Sequence, residues 1–129
     1  MNLEIFTICD AATVSGGKLN ILGAFDTITS GEIPVVHRAL AIVIRLRGKT
    51  GDIDNHKISL IAVDEQGDNK FPNIVTDFFF RKSEDVSNAV NFIMNIQDLK
   101  FEKLGTYYIK LKVDDNILGE IPLFIKQKN

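Results

Sequence analysis

Asp52, Asp54, Asp114 and Asp115 are the residues of this chain whose types and spacing best suit a chemical task. Calcium takes about six to eight hard oxygens, and carboxylates on loops at one end of a β-sandwich can supply them. In an antiparallel sandwich each full-length strand carries the chain to the opposite end, so alternate loops share an end. By that count Asp10, Asp52, Asp54, Glu84, Asp85, Asp114 and Asp115 gather at one end, and Glu32, Asp64, Glu65, Asp68, Asp98 and Glu102 at the other. The asymmetry is small, and Asp is also a good turn former in its own right. The alternative to a pure interaction module, a ligand- or calcium-binding site, requires Asp52, Asp54, Asp114 and Asp115 to converge.

The other reactive side chains point to less. Cys9 is the single cysteine, so no disulfide forms within the chain. It shares parity with Leu3 and Ile5 on a first strand and reads as a buried thiol acting as a small hydrophobe. His37, beside a proline-containing turn, and His56, at the start of a strand, lack the cysteine partners and close spacing of a zinc site. His37 reads as a loop residue whose ring bonds a backbone group. Gly16-Gly17-Lys18 lacks the frame of a phosphate-binding loop and leads into a strand, not a helix. These patterns imply no catalytic residue, no cofactor and no small-molecule substrate, and the chain reads as non-enzymatic.

Composition narrows the partners. The chain carries 15 Lys and Arg against 17 Asp and Glu, a formal net charge of −2 at pH 7. The basic residues are scattered and mostly alternate with apolar ones, which makes wet sheet faces. Phosphate binding needs clustered positive charge, so nucleic acid is not an expected partner. Hydrophobic residues make up 45% of the 129 and charged residues 25%, the balance of one globular domain with a real core. No apolar run approaches a membrane span. The stretch Met1-Asn2-Leu3-Glu4-Ile5 lacks the basic and apolar regions of a signal peptide. A cytoplasmic setting without membrane contact is therefore expected.

The elements that must position these residues are strands. Tyr107, Ile109, Leu111 and Val113 alternate with Thr106, Tyr108, Lys110 and Lys112, a period of two with one face buried and one wet. Asp114-Asp115-Asn116 reverses the chain, and Ile117, Ile121, Leu123 and Ile125 line the returning strand of a hairpin. Six earlier β-segments read as 3–9, 18–29, 38–47, 57–63, 74–81 and 89–96, separated by turn signals such as Ser15-Gly16-Gly17. The pattern predicts an all-β, eight-stranded, mostly antiparallel sandwich over residues 1–129, with Tyr107, Ile109, Leu111 and Val113 packing against Val90, Phe92 and Met94. Leu104-Gly105 followed by a strand-opening Tyr resembles the tyrosine corner of immunoglobulin-like sandwiches, in which a Tyr hydroxyl ties back to the preceding loop. Tyr108 is the expected donor, because Tyr107 keeps parity with the core. The chain has no Trp and no Cys after the Tyr, which excludes a disulfide-bonded antibody-type domain.

A sandwich sheet needs only one apolar face. Residues 38–47 carry Leu40, Ile42, Ile44 and Leu46 on one side but Ala39, Ala41 and Val43 on the other. Phe78-Phe79-Phe80 must put aromatics on both faces, and Leu118, Pro122 and Phe124 lie opposite the core residues of the last strand. Such extra area must be covered by a loop, a terminus or another chain. The expectation is a protein partner, first a second copy in a homodimer, with Val43, Phe79 and Phe124 at the interface.

The run Cys9-Asp10…Ser15-Gly-Gly-Lys-Leu-Asn-Ile-Leu-Gly-Ala-Phe-Asp26 resembles the start of a family of small bacterial β-sandwich proteins catalogued as a domain of unknown function. Pro34-Val-Val-His37, Arg45-Leu-Arg-Gly48, Phe101…Leu104-Gly…Tyr108 and Leu118-Gly-Glu-Ile-Pro-Leu123 extend the resemblance over nearly the whole chain. It implies the sandwich fold, a single-domain form and a bacterial intracellular setting, and brings no catalytic residues.

Overall fold

The computed structural model describes residues 1–68, 73–81 and 88–128. Among them are nine strands and no helix: β1 (Asn2–Ser15), β2 (Lys18–Phe25), β3 (Thr27–Ser30), β4 (Val35–Arg47), β5 (Asn55–Val63), β6 (Ile74–Phe79), β7 (Ala89–Phe101), β8 (Gly105–Val113) and β9 (Asn116–Gln127). They form a four-stranded sheet in the order β2-β1-β4-β7 and a five-stranded sheet in the order β3-β9-β8-β5-β6. Neighbours run antiparallel except β3, which lies parallel to β9. The architecture is an immunoglobulin-like sandwich.

The count is nine strands, not eight, because the expected segment 18–29 is two strands in two sheets. Lys18–Phe25 stays on β1, the chain bends at Asp26, and Thr27–Ser30 joins β9. The bend is pinned by the Phe124 N–H, which donates to the Asp26 carbonyl at 2.7 Å. Its trace in the sequence is that Phe25 and Ile28 both pack on the core although they stand three residues apart. An uninterrupted strand would put them on opposite faces.

Alternate residues of both sheets fill the space between them. Ile42, Ile44 and Leu46 from β4, Ile58 and Leu60 from β5, and Ile109 and Leu111 from β8 are fully buried there. Val90, Phe92 and Met94 pack against this cluster from β7, as the alternation predicts. Phe78 meets both Phe80 and Phe92 edge to face, with centroids 5.5 and 5.2 Å apart. That is the geometry aromatic quadrupoles favour.

Three corrections concern side-chain direction. Val43 is 0% exposed, not an interface residue. With Cys9 and Ala41 it forms a second buried cluster on the outer face of the four-stranded sheet, and Ala12 and Leu19 of the β1–β2 hairpin pack over it. The chain covers its own extra apolar face there. Cys9 is buried as expected, but it does not share a face with Leu3. The β1–β4 register shifts between Leu3 and Ile5, so Leu3 packs on the main core while Ile5 and Cys9 belong to the outer cluster. One extra residue in a strand reverses every later side chain. The corner tyrosine is Tyr107, not Tyr108: its hydroxyl donates to the Lys103 carbonyl at 2.9 Å.

Candidate functional site

At one end of the sandwich, β5 opens with Asn55-His56, and three segments meet on the His56 ring. Its Nε2 lies 2.9 Å from both carboxylate oxygens of Asp52, in the β4–β5 loop. Its Nδ1 lies 2.5 Å from Asp114 Oδ2, in the β8–β9 turn. Asp114 and Asp115 have φ of 50° and 67°, the left-handed pair that a tight two-residue hairpin turn requires. The other oxygen of Asp114 accepts from the Lys57 N–H at 2.9 Å, and the Asp114 N–H donates back to the Lys57 carbonyl at 2.9 Å. The ring stacks on Phe78 and stands edge-on to Phe80.

The electrostatics follow from this placement. The Asp114 and then the Asp52 carboxylate hold His56 above its ordinary value, outweighing its partial burial. His56 in turn holds Asp52 below the usual carboxylate value. Asp114 is lowered by His56 first and by the Lys57 backbone next. Each ring nitrogen faces a carboxylate, an arrangement that favours the imidazolium, in which both nitrogens donate. The cluster ties the β4–β5 loop to the β8–β9 turn.

The loop count places Asp52 and Asp114 together, and they do meet. The four-carboxylate set does not assemble. Asp54 joins only through its backbone N–H, which donates to Asp52 Oδ1 at 3.1 Å, and Asp115 is exposed in the turn. Among the described residues no group of three or more His, Cys, Asp or Glu is arranged to hold a metal ion. The physical reason is that the cation between Asp52 and Asp114 is His56 itself. Asp10 lies within β1, not in a loop, and Glu84 and Asp85 fall outside the described residues. The role of His56 is the feature that residue spacing missed. Its signal was present: an Asp four residues before a His, facing an acidic turn at the same end.

The remaining reactive groups are held elsewhere. The Cys9 thiol is buried and donates to the Ala11 carbonyl at 3.4 Å. Burial, then the Asp10 charge, pushes its pKa up, so it stays a neutral thiol. His37 is on β4 rather than in a loop, and its ring packs 5.7 Å from Phe25.

A groove of about 830 Å³ opens between β6 of one sheet and β7 of the other. Val14, Phe79 and Val90 give it apolar walls, and Asp77, Arg81 and Asn91 give it polar ones. Val14 arrives there from the tip of the β1–β2 hairpin, which folds across the outer face of its own sheet. Phe79 is 59% exposed, as the alternation of Phe78, Phe79 and Phe80 requires. Phe124, the third expected interface residue, is half-buried between Thr27 of β3 and Thr106 of β8.

The model of a family of unknown function, DUF6941, matches residues 4–126. The chain belongs to this family. No curated protein matches it. Among solved structures, the alkylpurine DNA glycosylase AlkC of Pseudomonas fluorescens, bound to DNA containing an abasic site analog, is 11% identical with a TM-score of 0.50. The likeness covers 94% of this chain and 30% of the glycosylase, so the chain spans under a third of that protein's length. An immunoglobulin-like protein from Pseudomonas aeruginosa is 10% identical with a TM-score of 0.40, over 96% of this chain and 94% of that one. At such identities the glycosylase likeness shows the fold alone. No helix among the described residues is long and apolar enough to cross a membrane.

Proposed function

We propose that this member of DUF6941 is a non-enzymatic interaction module of the bacterial cytoplasm that works by binding protein, and first a second copy of itself. One observation carries the reading. After the hairpin has covered Val43, large apolar side chains still stand in solvent on two neighbouring segments. They are Val14, Ile21 and Leu22 on the β1–β2 hairpin and Val75 and Phe79 on β6. Val14 and Phe79 share the groove between the sheets. Exposed apolar side chains gathered in this way mark association sites. The commitment of both His56 nitrogens to carboxylates, and the neutral buried Cys9, support a role in binding over one in catalysis.

The test is the mass of the full chain by light scattering across micromolar concentrations. Association is expected, with a mass near twice 14.4 kDa. A mass that stays at the monomer value up to the highest concentration would sink the reading.

A further inference from the structure

We propose that the Asp52–His56–Asp114 clamp makes the β4–β5 loop a pH-sensitive strap on the groove between β6 and β7. Protonated, the clamp fixes the groove wall and favours association; deprotonated, it lets the wall go. This rests on the self-association proposed above and names its regulation.

The clamp and the groove share a wall. Asn55, Phe78 and Asn88 line the groove. Asn55 directly precedes His56 on β5. The Phe78 ring stacks on the His56 ring, with centroids 5.4 Å and planes 29° apart. Asn88 holds the start of the β4–β5 loop, where its Nδ2 donates to the Gly48 and Lys49 carbonyls at 2.7 and 3.2 Å. Gly48 also lies against Phe80, and a side chain there would stand 2.8 Å from the ring. Asp52 ties the same loop to His56. The loop is thus fastened at two points, one on the imidazole and one on a groove residue.

The charges that face the ring come from both loops. Asp52 faces Nε2 and Asp114 faces Nδ1. Asp54 reaches the cluster through its N–H, and Asp115 is exposed in the turn. The charge of the N-terminal amine also acts on Asp52. On β5 itself Lys57 is exposed and bonds Asp114 through its backbone. Phe78 and Phe80 pack on the ring uncharged, while Asp77 and Arg81, of the opposite parity, line the groove.

A neutral imidazole has one N–H and one lone pair. One of the two carboxylates then loses its donor and meets the lone pair instead. Asp114 keeps the Lys57 N–H at 2.9 Å on its other oxygen. Among the described residues, Asp52 hydrogen-bonds outside its own loop to the ring alone. Asp52 is therefore the tie that opens, and the strap slackens toward Asn88 and Phe80. A groove wall that must be ordered on contact binds more weakly than one already fixed. Because the carboxylates raise His56 above 6.5, the strap is tied below about 6.5 and opens as pH rises through the folded value.

The experiment follows the full chain from about pH 6 to about pH 9, a range that spans the titration of a raised histidine. Light scattering gives the affinity of the dimer, NMR gives the amide shifts of Gly48 and Asn88, and circular dichroism checks the fold of each variant. In wild type the two amides should titrate together with the His56 ring, and the dimer should weaken about five- to tenfold toward the alkaline end. His56→Gln should abolish both dependences. Asn88→Ala, which leaves the clamp intact but unfastens the strap from the groove, should keep the titration of the ring and lose that of the affinity. His37→Gln, whose ring packs on Phe25 instead, should behave as wild type. A dimer whose affinity is flat with pH, or whose dependence survives His56→Gln, would overturn the strap and leave self-association standing. Asn88 and Gly48 amides that ignore the His56 titration would overturn the strap as well. A wild type monomeric at every pH would overturn both.

Discussion

The Tyr107 hydroxyl reaches the Lys103 carbonyl at 2.9 Å while the Tyr107 ring lies 4.9 Å from that of Phe101. One side chain thus fills the core with its body and ties the β7–β8 loop with its tip, the division of labour that suits a buried Tyr. Tyr107→Phe should lose about 1 kcal/mol, the net worth of one such bond. Tyr108→Phe should be close to neutral. Urea unfolding of the two variants checks this, and equal losses would contradict the assignment.

The pH dependence of stability should carry the mark of His56. Its folded pKa is raised above the ordinary 6.5, so its contribution is complete below about 6.5 and is lost as pH rises through the folded value. Asp52 and Asp114 are lowered from 3.8, so theirs is complete above about 3.8 and is lost as pH falls through their folded values. The contribution therefore peaks between these limits. His56→Gln should lower the melting temperature inside that window and flatten its fall as pH rises above about 6.5, where the wild type gives up the His56 contribution. A variant that keeps the wild-type pH profile would show that the clamp has no energetic consequence.

Core and surface should separate by size of effect. Leu111 is fully buried, and Leu111→Ala should cost about 2–5 kcal/mol. Phe79→Ala removes a larger side chain but an exposed one, and should stay within about 0.5 kcal/mol in the dilute monomer. Denaturant midpoints measured below the association range decide between them.

Val43→Asp should yield insoluble or unfolded protein, because an unpaired charge would sit beneath the β1–β2 hairpin. This is the opposite of what an interface residue would do. Soluble, folded Val43→Asp protein would mean that the hairpin lifts off that face.

Calcium should not stabilise the chain. A site filled at about a hundred times its dissociation constant would add about 2.7 kcal/mol. With His56 between Asp52 and Asp114, millimolar calcium is expected to leave the melting curve unmoved. A rise would show that the metal displaces the imidazolium.

The alternation of Tyr107, Ile109, Leu111 and Val113 was enough to read the sandwich, the last hairpin and the inner face of β8, because a half-buried strand writes its period into the chain. The splitting of Phe78, Phe79 and Phe80 between faces was legible for the same reason. Periodicity does not say which sheet a strand joins, so the switch at Asp26 and the ninth strand came only from backbone pairing. Nor does it register one extra residue in β1, so the reversal between Leu3 and Ile5 was hidden. The fate of Val43 was decided by the path of a hairpin distant in sequence. The meeting of Asp52 and Asp114 could be counted from loop parity, but not that His56 lies between them. Direction and distance across 58 residues belong to the tertiary structure, because local residue types constrain neighbours along the chain and say nothing of what the fold lays beside them.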